Sequence, residues 1–125
     1  MANVTAGEVL ARVDELLPNA IGAAEKRRWL CQAEGFVVQE ILRAHEGGED
    51  TPVPEALADG DELLVPAPYD ELYRHYVESQ IHYANGEMAR CANASSAWNN
   101  AFLTYRDYYA RTHVPVRRAG ALRLC

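Results

Sequence analysis

Apolar positions recur at steps of three and four through most of the chain, and the runs break at proline and glycine. Val9, Leu10, Val13, Leu16 and Leu17 form one such face, which stops at Pro18-Asn19. Thr5-Ala6-Gly7-Glu8 ahead of it has capping-box spacing, with Val4 and Val9 placed as a hydrophobic staple. A helix over about 5–17 follows from this spacing. Trp29, Leu30, Ala33, Val37, Ile41 and Leu42 predict a second helix over about 23–46, ended by Gly47-Gly48. Gly35 weakens its middle by about 1 kcal/mol relative to alanine, so the residue implies a close helix approach.

The second half predicts a helical hairpin. Tyr69, Leu72, Tyr73, Tyr76, Val77, Gln80 and Ala84 keep helical spacing over about 69–85, and Asp70 and Glu71 suit its first turn. Asn85-Gly86 is the corner, since both residue types tolerate a positive φ. The returning helix, about 87–112, carries Met88, Cys91, Ser95, Trp98, Phe102, Tyr105 and Tyr109 on one face and ends at His113-Val114-Pro115. Ala92, Ala94, Ser95, Ser96 and Ala97 would let the two helices come close. Residues 47–68 form a loop rich in Gly, Pro, Asp and Glu around a small apolar group, Leu57 and residues 63–65. Pro52, Pro54, Pro66 and Pro68 give it the character of a stiff arm. The expected fold is all-α: a small helical bundle built on a long antiparallel hairpin, with an extended acidic loop. One domain covers 1–115, and a tail follows over 116–125.

Composition changes this picture in two places. At 125 residues the chain matches one domain with one core. Cys31, Cys91 and Cys125 are odd in number and outside any CxxC spacing, so reduced thiols are expected. No run of eighteen apolar residues and no signal-peptide pattern occurs, so the chain reads as soluble and cytoplasmic, without a membrane partner.

The net charge of −6 disfavours generic nucleic-acid binding, which relies on cationic side chains. Its distribution says more. Between Glu46 and Glu71 there are nine carboxylates and no Lys or Arg, whereas beyond Thr112 the only charged side chains are Arg117, Arg118 and Arg123. The chain is electrically polarised. With so few arginines, direct DNA binding through the tail would be weak and steeply salt-dependent.

Candidate chemistry is sparse. His75 and His82 lie seven apart, with Glu71 and Glu78 each four residues ahead of a histidine, but there is no HExxH and no second convergent pair. Cys31 and Cys91 fall inside amphipathic helices, and no GxSxG, phosphate loop or carboxylate dyad is present. No catalytic residue, metal ligand or cofactor is expected, and the chain reads as a non-enzyme.

Three longer stretches carry a family likeness. The run Leu64-Val65-Pro66-Ala67-Pro68-Tyr69-Asp70-Glu71, the corner Tyr83-Ala84-Asn85-Gly86-Glu87 and the exit Tyr108-Tyr109-Ala110-Arg111-Thr112-His113-Val114-Pro115 resemble the head-to-tail connector, or head-completion, proteins of tailed bacteriophages and prophages. Val13-Asp14-Glu15-Leu16-Leu17-Pro18-Asn19-Ala20 and Arg28-Trp29-Leu30 also fit that group, while the Ala- and Ser-rich stretch 91–98 departs from it. The resemblance implies a structural virion protein at the neck between capsid and tail, assembled in the host cytoplasm. Such proteins form a ring of about twelve copies under the portal, extend the DNA channel and provide the tail attachment platform. The implied partners are other copies of the chain, the portal protein, the next neck or tail-completion protein, and double-stranded DNA that passes without sequence-specific binding.

Site expectations follow from that role. Arg117, Arg118, Leu122, Arg123 and Leu124 are candidates for docking on the portal or a neighbouring subunit. Glu49, Asp50, Glu55, Asp59, Asp61 and Glu62 are candidates for the channel or loop surface, where negative charge would repel phosphates. Tyr73, Tyr83, Tyr105 and Tyr108 are candidates for inter-subunit contact. A small cytoplasmic helical adaptor or regulatory module binding one partner protein is the alternative that the same pattern allows.

Overall fold

The computed structural model describes residues 2–116. Four helices occur in the order α1 (Ala6–Leu16), α2 (Ala23–Glu40), α3 (Glu71–Ala84) and α4 (Met88–Thr112), with a 3₁₀ turn at Leu42–Ala44 after α2. The fold is an all-α small helical bundle. Among the described residues extended pairing is limited to two isolated antiparallel bridges, Thr5 with Glu62 and His45 with Pro115.

Local chemistry sets the helix ends. The Thr5 side chain accepts from the Glu8 N–H while the Glu8 carboxylate accepts from the Thr5 N–H, at 3.2 and 2.8 Å, so the capping box starts α1. Two further N–H groups of that first turn, on Ala6 and Gly7, donate to the carbonyls of Asp61 and Asp59. The loop therefore caps the helix. At the hairpin corner only Gly86 takes a positive φ, +76°, while Asn85 stays at −87°. Glu87 N–H donates to the His82 carbonyl at 2.9 Å, and the Glu87 carboxylate meets His82 Nδ1 at 2.9 Å. That hydrogen bond holds the Glu87 carboxyl below the usual glutamate range.

α2 is shorter than its periodicity predicts. It stops at Glu40, and the Leu42–Ala44 turn carries the chain round to His45. The turn is held because buried His45 places Nδ1 2.7 Å from the Ile41 carbonyl. Gly48 packs so closely that a Cβ there would lie 2.3 Å from the Leu42 carbonyl oxygen. Ile41 and Leu42 stay in the core although the α-helix has ended.

α3 is the central element, packed most extensively on α4 and also on α2 and α1. Leu72, Tyr73, Val77 and Ile81 are buried, and so are Ser79 and His82, because α3 is covered from two sides. The core closes with Val9 and Val13 of α1, Leu30, Ala33, Val37 and Val38 of α2, and Leu63 and Val65. α4 differs. Of its 25 residues only Tyr105 is fully buried, so the helix lies across the bundle as an outer layer. Met88, expected on the inward face, opens α4 at the hairpin corner and is 52% exposed.

The loop is folded onto the body and does not project as an arm. Leu63 N–H donates to the Val4 carbonyl, and the Asn3 side chain donates to the carbonyls of Leu63 and Leu64. Gly35 faces the loop and not a crossing helix: a Cβ there would meet the Val53 side chain at 3.7 Å, an ordinary van der Waals contact, so the close helix approach expected at this glycine is not what it supports.

Candidate interaction surfaces

A buried polar site pins the 63–65 plug. Glu34 is only 2% exposed; its carboxylate accepts from the Tyr73 hydroxyl at 2.5 Å and from the Leu64 N–H at 2.8 Å. The same hydroxyl accepts from the Val65 N–H at 3.0 Å. One side chain of α2 and one of α3 thereby satisfy two backbone donors that no sheet partner reaches. Burial pushes the Glu34 carboxyl above the usual glutamate range, against the lowering pull of its two donors. Burial and the nearby carboxylate push the Tyr73 phenol well above its ordinary value.

Tyr73 and Tyr105 are therefore corrections to the expected inter-subunit set. Both lie inside the chain's own core, Tyr73 through the Glu34 site and Tyr105 through the aromatic layer under α4. Burial holds the Tyr105 phenol up at about 12. Tyr108 is half-buried and stacks on Tyr69 with ring centres 4.7 Å apart. Tyr83, 66% exposed beside the hairpin corner, is the one of the four that stands free.

The outer layer leaves apolar surface uncovered. Phe36 of α2 is 47% exposed yet lies 6.0 Å from Tyr76 and 6.4 Å from Trp98, ring centre to ring centre. Trp98 extends this row to Phe102, at 5.1 Å. On the outward side of α4, Leu103 is 42% exposed. Such half-covered aromatic rows suit protein contact.

The acidic candidates Glu49, Asp50, Glu55, Asp59, Asp61 and Glu62 are all exposed. Asp59 faces Arg27 at 3.4 Å, and Asp61 accepts from the Ala58 N–H. Between α2 and residues 53–57 lies a groove of about 570 Å³, lined by Ala24, Cys31, Gly35, Val53 and Leu57 among others. Residues 117, 118, 122, 123 and 124, the tail candidates, lie outside the described residues.

Histidine and glutamate do not converge on α3. Arg74 takes both Glu71 and Glu78, each at 3.0 Å, while His82 turns to Glu87. Among the described residues no group of three or more His, Cys, Asp or Glu side chains is placed to hold a metal, and no helix is long and apolar enough to cross a membrane. Cys31 donates its thiol to the Pro54 carbonyl at 3.3 Å, and burial raises that thiol above its ordinary pKa, the opposite of activation.

The periodicity misses Glu34 because a carboxylate on an amphipathic helix reads as solvent-facing. The only local hint is its position on the face of Leu30 and Val37. No family model, curated protein or solved structure is similar enough to this chain to place it in a family.

Proposed function

We propose that the protein is a head-to-tail connector of a tailed bacteriophage or prophage, a non-enzymatic protomer whose copies form a ring under the portal. The observation that carries the reading is α4: 25 residues long, packed on the bundle along its aromatic side and exposed along the other. A closed ring joins unlike faces of successive subunits. The outward side of α4, with Leu103, offers one face, and the Phe36 row on the α2 side offers another. The resemblance of the 64–71, 83–87 and 108–115 stretches to connector proteins supplies the identity of the assembly. In that ring the acidic surface around Glu55 borders the DNA channel, and Arg117, Arg118, Leu122, Arg123 and Leu124 engage the portal.

Co-expression with a tailed-phage portal protein whose gene neighbours its own tests this. Electron microscopy and mass photometry are expected to show rings of about twelve subunits on the portal. Leu103→Arg is expected to abolish them while leaving helical circular dichroism and melting temperature unchanged. A subunit that stays monomeric with the portal and pairs one-to-one with an unrelated protein would replace this reading with the helical adaptor.

A further inference from the structure

The groove between α2 and residues 53–57 has one helical wall and one pinned wall. On the helical side Ala24, Arg28, Cys31 and Gly35 follow one another at steps of four, three and four, the spacing of a single stripe of α2. The loop side is tied at three points: Cys31 donates to the Pro54 carbonyl, Arg43 Nε donates to the Thr51 carbonyl at 2.8 Å, and Arg27 reaches Asp59. The two walls therefore keep a fixed relation. Between them Cys31, Gly35, Val53 and Leu57 stay only half-buried. At about 570 Å³ the groove has the size of a small-molecule site, and like such sites it joins an apolar floor to a few polar groups.

The charge along the groove gives its ligand a sign. The lining holds two cations, Arg27 and Arg28, and one carboxylate, Glu55, in a chain whose net charge is −6. Both guanidiniums keep donors to spare. Arg27 makes one long hydrogen bond, 3.4 Å to Asp59, and Glu25 stands 3.7 Å from Arg28, beyond hydrogen-bond distance. Surface pairs of this kind contribute little, so a ligand anion displaces them at small cost. A guanidinium fork takes a carboxylate through two parallel N–H bonds. Glu55 and Asp59, both exposed on the loop side, repel any second negative charge, which favours a monoanion over a phosphate dianion. A cationic amphiphile would meet the two arginines.

We propose that this groove is a binding site for a soluble amphipathic monocarboxylate. Its apolar body lies along Cys31, Gly35, Val53 and Leu57, and its carboxylate is held by Arg27 and Arg28. The site needs only the single chain and stands apart from the connector reading.

Decanoate below its micellar concentration is the probe, with decanol and decylamine as bodies of the same length that lack the negative charge. Calorimetric titration of the full chain is expected to show decanoate binding roughly tenfold tighter than decanol, the difference that one charge-assisted hydrogen bond makes. Decylamine is expected not to bind over the same range. Arg28→Gln, on an exposed side chain, is expected to weaken decanoate toward the decanol value while leaving decanol binding and the melting temperature unchanged. Cys31 reports the location. In the full chain bearing Cys91→Ser and Cys125→Ser, decanoate is expected to slow maleimide labelling of Cys31, and Arg27→Gln with Arg28→Gln to remove that protection. No decanoate binding, equal affinities for decanoate and decanol, undiminished decanoate affinity in Arg28→Gln, or Cys31 labelling that decanoate leaves unchanged would each overturn the proposal.

Discussion

Tyr73 holds a position that no other side chain type fills. Its ring is fully buried, and its hydroxyl both donates to Glu34 and accepts from Val65. Glu34 in turn is a buried carboxylate without a cation among its hydrogen-bond partners, so its charge is held by donors alone. Because its folded pKa lies above the unfolded value of about 4.3, its contribution to stability is full below that value and is lost as pH rises through the folded pKa. Glu34→Gln removes the titration. Urea unfolding across the acidic range is expected to give a flatter pH profile for the variant than for the wild-type chain, with the divergence opening above about pH 4.3. The Lys26–Asp14 pair behaves differently. Burial works to raise the Asp14 carboxyl, but hydrogen bonds from Lys26 and Asn19 outweigh it and leave the carboxyl below its usual range.

Among the elements, the 3₁₀ turn and the residues just after it have the least room for change. A Cβ at Gly48 collides with the Leu42 carbonyl, and carbonyl backbone cannot swing aside as a flexible side chain can. Gly48→Ala is therefore expected to lower unfolding free energy by about 1–3 kcal/mol, read from the urea midpoint, whereas Gly60→Ala, with open space around it, changes it by no more than about 0.5 kcal/mol. Elements whose cause is local were legible in the sequence: the Thr5 box, the Gly86 corner and the α4 exit at Pro115 each depend on residues within a few positions. The early end of α2 was not, because the periodic apolar positions run on through Ile41 and Leu42, which stay in the core after the α-helix has stopped. The docked loop was not either, since its bonds to Val4, Ala6 and Gly7 join residues more than fifty apart. Glu34 and the groove escaped for the same reason: partners 30 and 39 positions away turn an outward-reading carboxylate into an interior one.

At the scale of the whole molecule, charge and shape divide the work. The acidic loop lies against α1 and α2, so its carboxylates form part of the body's surface and keep a fixed position. In a ring, such a surface repeated around the axis would repel phosphates and keep DNA from adhering. Replacing Glu49, Asp50, Glu55 and Asp59 by their amides removes four negative charges from a chain of net charge −6. Assembled rings of that variant are expected to retain duplex DNA in a filter or gel assay, with retention falling as salt rises, where wild-type rings release it.

The bridge between His45 and Pro115 has a mechanical consequence. Glu46 N–H donates to the Val114 carbonyl and Val116 N–H to the Ala44 carbonyl, so a short clasp fastens the chain just past α4 to the turn beyond α2. Tension applied at residue 117 along the clasp loads both bonds in shear before it can peel α4 from α3. The clasp acts as a strain relief, keeping a pull on the tail from being transmitted as unzipping of the hairpin.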